Sequence, residues 1–256
     1  MPDTFQPLSE TKFIPIRWND KYPLDVPDYN ERHGGWKNWE RERTDSIEKH
    51  LKPGMLFFDV GGYDGWQSAI FSRFVGGPEN LVIVEPVPEN WAAIKATFEA
   101  NGIGVPRGTF MGFCDEHPVS HKGEHIHEGE WPDGPDYSRL IHQTKFKLIH
   151  EHAEHTAAVT IDMLAEEIGL PAAINIDVEG AELRVLKGAI KTLRTSQPLV
   201  WVSIHPQFMA RGAEQRYTDE VQDIFGLMKH HGYGWPQFLA WDHEMHFLWK
   251  IGGFGQ

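Results

Sequence analysis

The sequence predicts an α/β fold with a mostly parallel sheet and a C-terminal antiparallel hairpin. Short uninterrupted apolar runs at Met55–Val60, Leu81–Glu85, Ala172–Asp177 and Leu199–Ile204 have the character of strands buried on both faces. Stretches with helical spacing separate these runs, and strands alternating with helices imply parallel pairing. A glycine-rich turn, Gly61-Gly62-Tyr63-Asp64-Gly65, joins the first run to the first such helix. Ligands of open α/β sheets sit at strand carboxyl ends, where this turn lies.

Taken in order, residues 1–35 hold Pro2, Pro7, Pro15, Pro23 and Pro27 and close on Gly34-Gly35. Proline removes donors and restricts φ, so an arm without long regular elements is expected there. Residues 36–51 are charged and free of Gly and Pro, which predicts a helix stopped by Pro53-Gly54. The expected division is therefore an arm and helix over 1–50, acting as a cover, and one domain over 51–256.

Within that domain a helix is predicted over 66–74, after the first strand. The second strand, 81–85, is followed by a helix that Pro88 opens and Gly102 caps, with Trp91, Ile94 and Phe98 as its apolar stripe. A third strand is expected near 108–113 and a fourth at 172–177. One helix then places Leu183, Leu186, Ile190 and Leu193 on a single face. The fifth strand, 199–204, precedes a helix over 218–231 and a hairpin of 234–240 with 243–250. Residues 114–155 interrupt this rhythm and carry eight of the fifteen histidines, so they read as an insertion between the third and fourth strands.

The chain has 256 residues, 24 basic and 37 acidic, for a formal net charge of −13. That balance disfavours broad capture of nucleic-acid phosphates and points to small-molecule chemistry. With 15 Phe, 10 Trp and 6 Tyr the chain can build a sizeable core. No run is long and apolar enough to span a membrane, and the first residues lack the pattern of a secretory signal. The single cysteine, Cys114, fits a reducing compartment, and a cytoplasmic location is expected.

The glycine turn suits one cofactor better than another. A dinucleotide fingerprint requires Gly-x-Gly-x-x-Gly, and Tyr63 breaks it. Asp59, inside the end of the first strand, would oppose a pyrophosphate but suits the ammonium of an amino-acid moiety such as that of S-adenosylmethionine. Glu85 closes the second strand 20 residues after Gly65, at the distance where a carboxylate takes paired ribose hydroxyls.

Asp59-Val60-Gly61-Gly62, Glu85-Pro86 and Ile176-Asp177-Val178-Glu179-Gly180-Ala181-Glu182 with Val185-Leu186-Lys187-Gly188-Ala189 resemble the FkbM family of S-adenosylmethionine-dependent methyltransferases. Trp39-Glu40, 19 residues before Asp59, resembles that family's aromatic–Glu entry. The resemblance covers roughly residues 36–205, less the histidine-rich insertion. It implies a Rossmann-like, class I methyltransferase fold and methyl transfer to a hydroxyl of a sugar, polyketide or other small molecule. It also implies that Glu40, Asp59, Gly61 and Gly65 serve the cofactor, with Glu85 at the ribose and Cys114-Asp115 near the adenine. Two positions depart from the family pattern: Gly62 replaces the usual alanine, a change expected to be harmless, and Ser203 stands where an acid is expected before Ile204-His205.

Methyl transfer from a sulfonium needs an aligned acceptor and a group to take its proton. Candidate bases at the ends of strands four and five are His205, Asp177 and Glu179, with His205 first because its ordinary pKa lies near neutrality. Glu182 is expected to open its helix, where an acid complements the dipole. No residue set has diagnostic metal spacing, so no metal is expected. Asp177, Glu179 and His205, or His125-Ile126-His127 with both rings on one strand face, are the sets that could hold one. The tryptophans at 36, 39, 131, 235, 241 and 249 are expected mostly in the core, with Trp36 or Trp131 available to stack on a sugar. Other readings are transfer to nitrogen or to a nucleic-acid ribose, and a non-catalytic cofactor-binding protein of the same fold.

Overall fold

The computed structural model describes residues 4–28, 38–120, 125–142, 156–206, 214–242 and 244–254. The N-terminal part forms β1 (Thr4–Pro7), β2 (Phe13–Trp18), β3 (Tyr22–Pro27) and α1 (Arg41–His50). Next come β4 (Phe57–Val60), α2 (Trp66–Phe74), β5 (Leu81–Val84), α3 (Pro88–Ala100) and β6 (Gly108–Phe110). Short strands β7 (Phe113–Cys114), β8 (His127–Glu128), β9 (Arg139–His142) and β10 (Ala158–Val159) precede α4 (Ile161–Glu167). The remainder is β11 (Ala173–Ile176), α5 (Glu182–Lys187), α6 (Ile190–Thr195), β12 (Leu199–Ile204), α7 (Glu214–His230), β13 (Gln237–Trp241) and β14 (Met245–Trp249).

Eight strands form the main sheet in the order β13-β14-β12-β11-β4-β5-β6-β8. Strands β12, β11, β4, β5 and β6 are parallel, whereas β13, β14 and β8 pair antiparallel with their neighbours. The chain proceeds outward from β4 to β5 and β6, then returns to build β11 and β12 on the other side. The carboxyl ends of β4 and β11 therefore flank the point where strand order reverses, the usual ligand crevice of such sheets. All residues of β4, β5 and β11 are buried, as their apolar runs require.

The arm differs from expectation. Its prolines do not prevent a regular hairpin: β2 and β3 pair antiparallel from Phe13↔Pro27 to Trp18↔Tyr22. In a two-stranded ribbon every strand is an edge, so a missing proline donor can face away from the ladder. Asn19 and Asp20 make the turn with φ 53° and 59°, a conformation these two side chains tolerate. Alternate residues Ile16, Trp18, Tyr22, Leu24 and Val26 are buried and share a core with Phe57, Leu81 and Trp201 of the sheet. At about 1.5–3 kcal/mol for each fully buried large apolar side chain, this packing is ample to hold the hairpin down.

Two further differences are local. The expected helix after the fourth strand is split into α5 and α6 around Gly188-Ala189, where Gly188 O accepts from Asp162 N and the Asp162 carboxylate accepts from Lys191 N and Thr192 N at the start of α6. The third strand ends at Phe110, and Phe113–Cys114 pairs instead with β10. The insertion also reaches the arm, since β9 pairs with β1. His121, His150, His152, His155 and Trp36 lie outside the described residues. Trp249 is buried, but Trp235 and Trp241 are 80% and 67% exposed, which corrects the expectation of core positions for both. Trp131 packs edge-on against Phe98 rather than standing free. No helix among the described residues is long and apolar enough to cross a membrane.

Candidate active site

The crevice between β4 and β11 requires glycine. Gly61 has φ +101°, and a Cβ there would sit 1.8 Å from the Asp177 carbonyl oxygen, so any side chain would push the two strand ends apart. Gly65, at φ +77°, precedes α2 with its Cβ position 2.8 Å from the Ile94 backbone. At Gly62, where the family pattern has alanine, a Cβ would lie 2.5 Å from the Ile83 Cγ2 methyl, so glycine fits this packing without a shift of Ile83.

On one side of the crevice stand Asp59 and Glu85. Asp59 is buried and accepts hydrogen bonds from Ser68 Oγ at 2.6 Å and Asn175 Nδ2 at 2.8 Å. Burial pushes its carboxyl up to about 6, with those two bonds working against the rise. Glu85 accepts from Tyr63 N at 2.8 Å, Val87 N at 2.9 Å and Asn90 Nδ2 at 3.0 Å. Burial lifts it to about 7 against these bonds, with a smaller push from the charge of Glu179. Glu179 follows Asp177 in a tight turn at φ 52°, so the turns after β5 and β11 carry carboxylates within electrostatic reach of each other.

On the other side, around the ends of β11 and β12, lies a buried polar network. Arg43 of α1, 1% exposed, donates to Asn175 Oδ1 at 3.1 Å and Gln67 Oε1 at 2.6 Å, and pairs with Glu40 and with Asp177 Oδ2 at 3.1 Å. Glu40 also accepts from Gln67 Nε2 at 2.6 Å. His205 is held through Nδ1 by Glu182 Oε1 at 2.7 Å and through Nε2 by Glu244, with Asp177 Oδ1 at 3.4 Å. Burial alone would lower the His205 pKa, but the bonds to Glu182 and Glu244 and the charge of Asp177 outweigh it and raise it to about 11. An imidazole that donates from both nitrogens and keeps its proton at neutral pH does not accept another. His205 as a neutral general base therefore does not fit this arrangement; the ring instead orients the carboxylates around it.

The other residues named from the sequence are placed as follows. Asp177 stands at the switch point with its side chain 16% exposed, bridging Arg43 and His205. Glu182 opens α5 as expected and also accepts from Gly180 N at 2.9 Å and from His205. Cys114 is buried in the apolar core, which raises its thiol pKa. Asp115 pairs with Arg184 at 2.5 Å and accepts from His117 N at 3.0 Å. The rings of His125 and His127 lie 4.0 Å apart.

Arg43, Asn175, Glu244 and His246 were missed. Asp242 and Glu244 lie in the turn between β13 and β14 and His246 on β14 itself; the Asp-x-Glu-x-His spacing was the available signal.

The arrangement fits a cationic cofactor. Asp59 and Glu85 stand at the strand ends beside the glycine turn, a placement that favours an ammonium and ribose hydroxyls and opposes a pyrophosphate. The FkbM methyltransferase domain model matches residues 59–234. Protein-L-isoaspartate O-methyltransferase 1 of Arabidopsis thaliana is 42% identical over 55 residues, which are 22% of this chain and 24% of that protein. The methyltransferase FkbM of Methylobacillus flagellatus is similar at 15% identity and TM-score 0.47, over 81% of this chain and 50% of that one. TYW2 of M. jannaschii, solved in complex with AdoMet, gives 8% identity and TM-score 0.46 over 93% and 86% of the respective chains. This chain thus spans about a quarter of the plant protein and half of the bacterial one.

Proposed function

The chain belongs to the FkbM family of S-adenosylmethionine-dependent methyltransferases, and from that premise we propose that it methylates a hydroxyl oxygen of a small molecule or sugar. The observation that carries this reading is the partly exposed Asp177 carboxylate, oriented by Arg43 and His205 beside the glycine turn. A hydroxyl acceptor donates a hydrogen bond to such a group and loses its proton to it as the new bond forms. The net charge of −13 and the carboxylates around the crevice work against a phosphate-rich acceptor.

In this reading Asp59, Gly61, Gly65 and Glu85 hold the cofactor, with Glu40 acting through Arg43. S-adenosylmethionine supplies an electrophilic methyl group on sulfur. Gly61 and Gly65 let the backbone approach, Glu85 accepts from ribose hydroxyls, and the buried Asp59 charge balances the cationic end. Asp177 points the acceptor oxygen and receives its proton, while Arg43 and His205 keep that carboxylate in one rotamer. Glu179 lines the same turn and completes the acceptor side.

Transfer of a labelled methyl group to a panel of polyols and glycosides, with the product located by mass spectrometry, tests the proposal. Label on a hydroxyl oxygen supports it. Label on a nitrogen, or on the ribose of RNA alone, would replace it.

A further inference from the structure

We propose that Asp242, Glu244 and His246 form a binding site for a divalent transition-metal ion of the zinc type. Asp242 and Glu244 stand in the turn between β13 and β14, and His246 is the second residue of β14, so the turn folds the two carboxylates over the ring. One ligand atom from each lies within 4.8 Å of the other two. His246 Nε2 is 3.4 Å from Asp242 Oδ1 and 3.7 Å from Glu244 Oε1. Ligand atoms held at about 2.0–2.1 Å from one ion at tetrahedral angles are separated by roughly 3.3–3.5 Å, so little adjustment is needed.

A cluster of acids alone would not carry this inference; the imidazole does. His246 is fully buried, and among the described residues its Nε2 has no hydrogen-bond partner. A buried polar atom left in this way costs stability unless something fills the gap. Its other nitrogen, Nδ1, shares a hydrogen bond with Ser203 Oγ at 2.9 Å. When Nδ1 donates to that hydroxyl, the Nε2 lone pair points at the two carboxylates, the usual way a second partner orients a ligating imidazole. Ser203 replaces the acid expected from the family pattern, and this contact gives the replacement a use.

Glu244 divides its oxygens in the same sense. Oε2 is engaged by His205, whereas Oε1 faces His246. The neighbouring group of Asp177, His205 and Glu244 also brings ligand-type atoms together, but both ring nitrogens of His205 are already committed to carboxylates. It is the poorer site. Two carboxylate oxygens and one imidazole suit zinc or a similar borderline ion better than a hard ion, which prefers oxygen alone. Asp242, whose side chain is 35% exposed, opens the site to solvent, and three protein ligands leave room for water or an oxygen of another molecule. The segment lies beyond the family match, which ends at residue 234. Metal binding here is independent of which acceptor is methylated.

Titration calorimetry of the full chain with Zn²⁺ after chelator treatment tests the site, with the visible absorption of bound Co²⁺ as a second readout. One ion per chain is expected. His246→Ala should abolish this binding. Ser203→Ala, which changes no ligand, should weaken it by about 10–100-fold. His125→Ala/His127→Ala should leave it unchanged. Circular dichroism reports whether His246→Ala folds; if it does not, Ser203→Ala and Asp242→Asn decide. Stoichiometry far below one, or equal affinity in Ser203→Ala, Asp242→Asn and the parent chain, would overturn the proposal. So would loss of the ion in the His125/His127 variant, which would put it in the histidine-rich insertion.

Discussion

The two sides of the sheet's carboxyl edge are built differently. At the ends of β4 and β5, Glu85 is held by Tyr63, Val87 and Asn90, and Asp59 by Ser68, partners 2 to 22 residues away. At the ends of β11 and β12, Arg43 reaches Asn175 across 132 residues, and His205 is held by Glu182 and by Glu244 from the turn before β14. One side is a local motif that folds with its own turn. The other exists only once the N-terminal helix, two central strands and the C-terminal hairpin have come together. A side-chain hydrogen bond from Asn175 to Asp59 links the two between β11 and β4, beside the backbone ladder of these strands.

That contrast predicts different responses to substitution. The largest effect should come from Asp177→Asn, which keeps the shape but removes the proton acceptor. Labelled-methyl turnover should fall by about 10²–10⁴-fold. Retention of nearly full turnover would leave Asp177 as a purely structural group.

Next in size is Arg43→Ala. Removing one partner of a buried ion pair leaves Glu40 and Asp177 uncompensated, and a loss of about 3–5 kcal/mol in unfolding free energy is expected by denaturant titration. A loss below about 1 kcal/mol, the range of exposed pairs, would show that the distant network adds little.

A smaller effect is expected from pH on the local side. Asp59 and Glu85 have folded-state pKa values raised by burial to about 6 and about 7. Below their unfolded values both states hold the protons; above them the native state keeps protons that the unfolded chain has lost. Their contribution to stability is therefore largest at low pH and declines as pH rises through 4 to 7, by at most about 1.4 kcal/mol per unit for each carboxylate. Binding of S-adenosylhomocysteine should move the opposite way, tightening by about tenfold between pH 5.5 and 7.5, because the ionised carboxylates favour its ammonium and ribose. Flat affinity over that range would mean that neither group touches the cofactor.

The same contrast explains what could be read in advance. Apolar runs such as Leu81–Val84 and Ala173–Ile176 announce buried parallel strands, and Asp59, Gly61 and Glu85 stand beside partners close in sequence. The β2–β3 hairpin was obscured by its prolines, although Ile14, Ile16 and Trp18 alternate towards an Asn-Asp turn. The break between α5 and α6 is held by Asp162, whose carboxylate takes the Lys191 and Thr192 amides 29 and 30 residues away, which no helical period encodes. His205 was correctly placed at the end of β12, but its charge state depends on Glu182 and Glu244, and only the folded chain brings these together. Arg43 in isolation looks like any surface residue of a charged helix.

The division of the edge into a cofactor side and an acceptor side is the central claim, and one calorimetric comparison tests it. Binding of S-adenosylhomocysteine to Glu85→Ala should weaken by about 1.5–3 kcal/mol, the scale for losing a charged hydrogen-bonding partner. Binding to Asp177→Asn should match the parent chain. Equal affinities for Glu85→Ala and the parent, or a loss in Asp177→Asn as large as in Glu85→Ala, would contradict it.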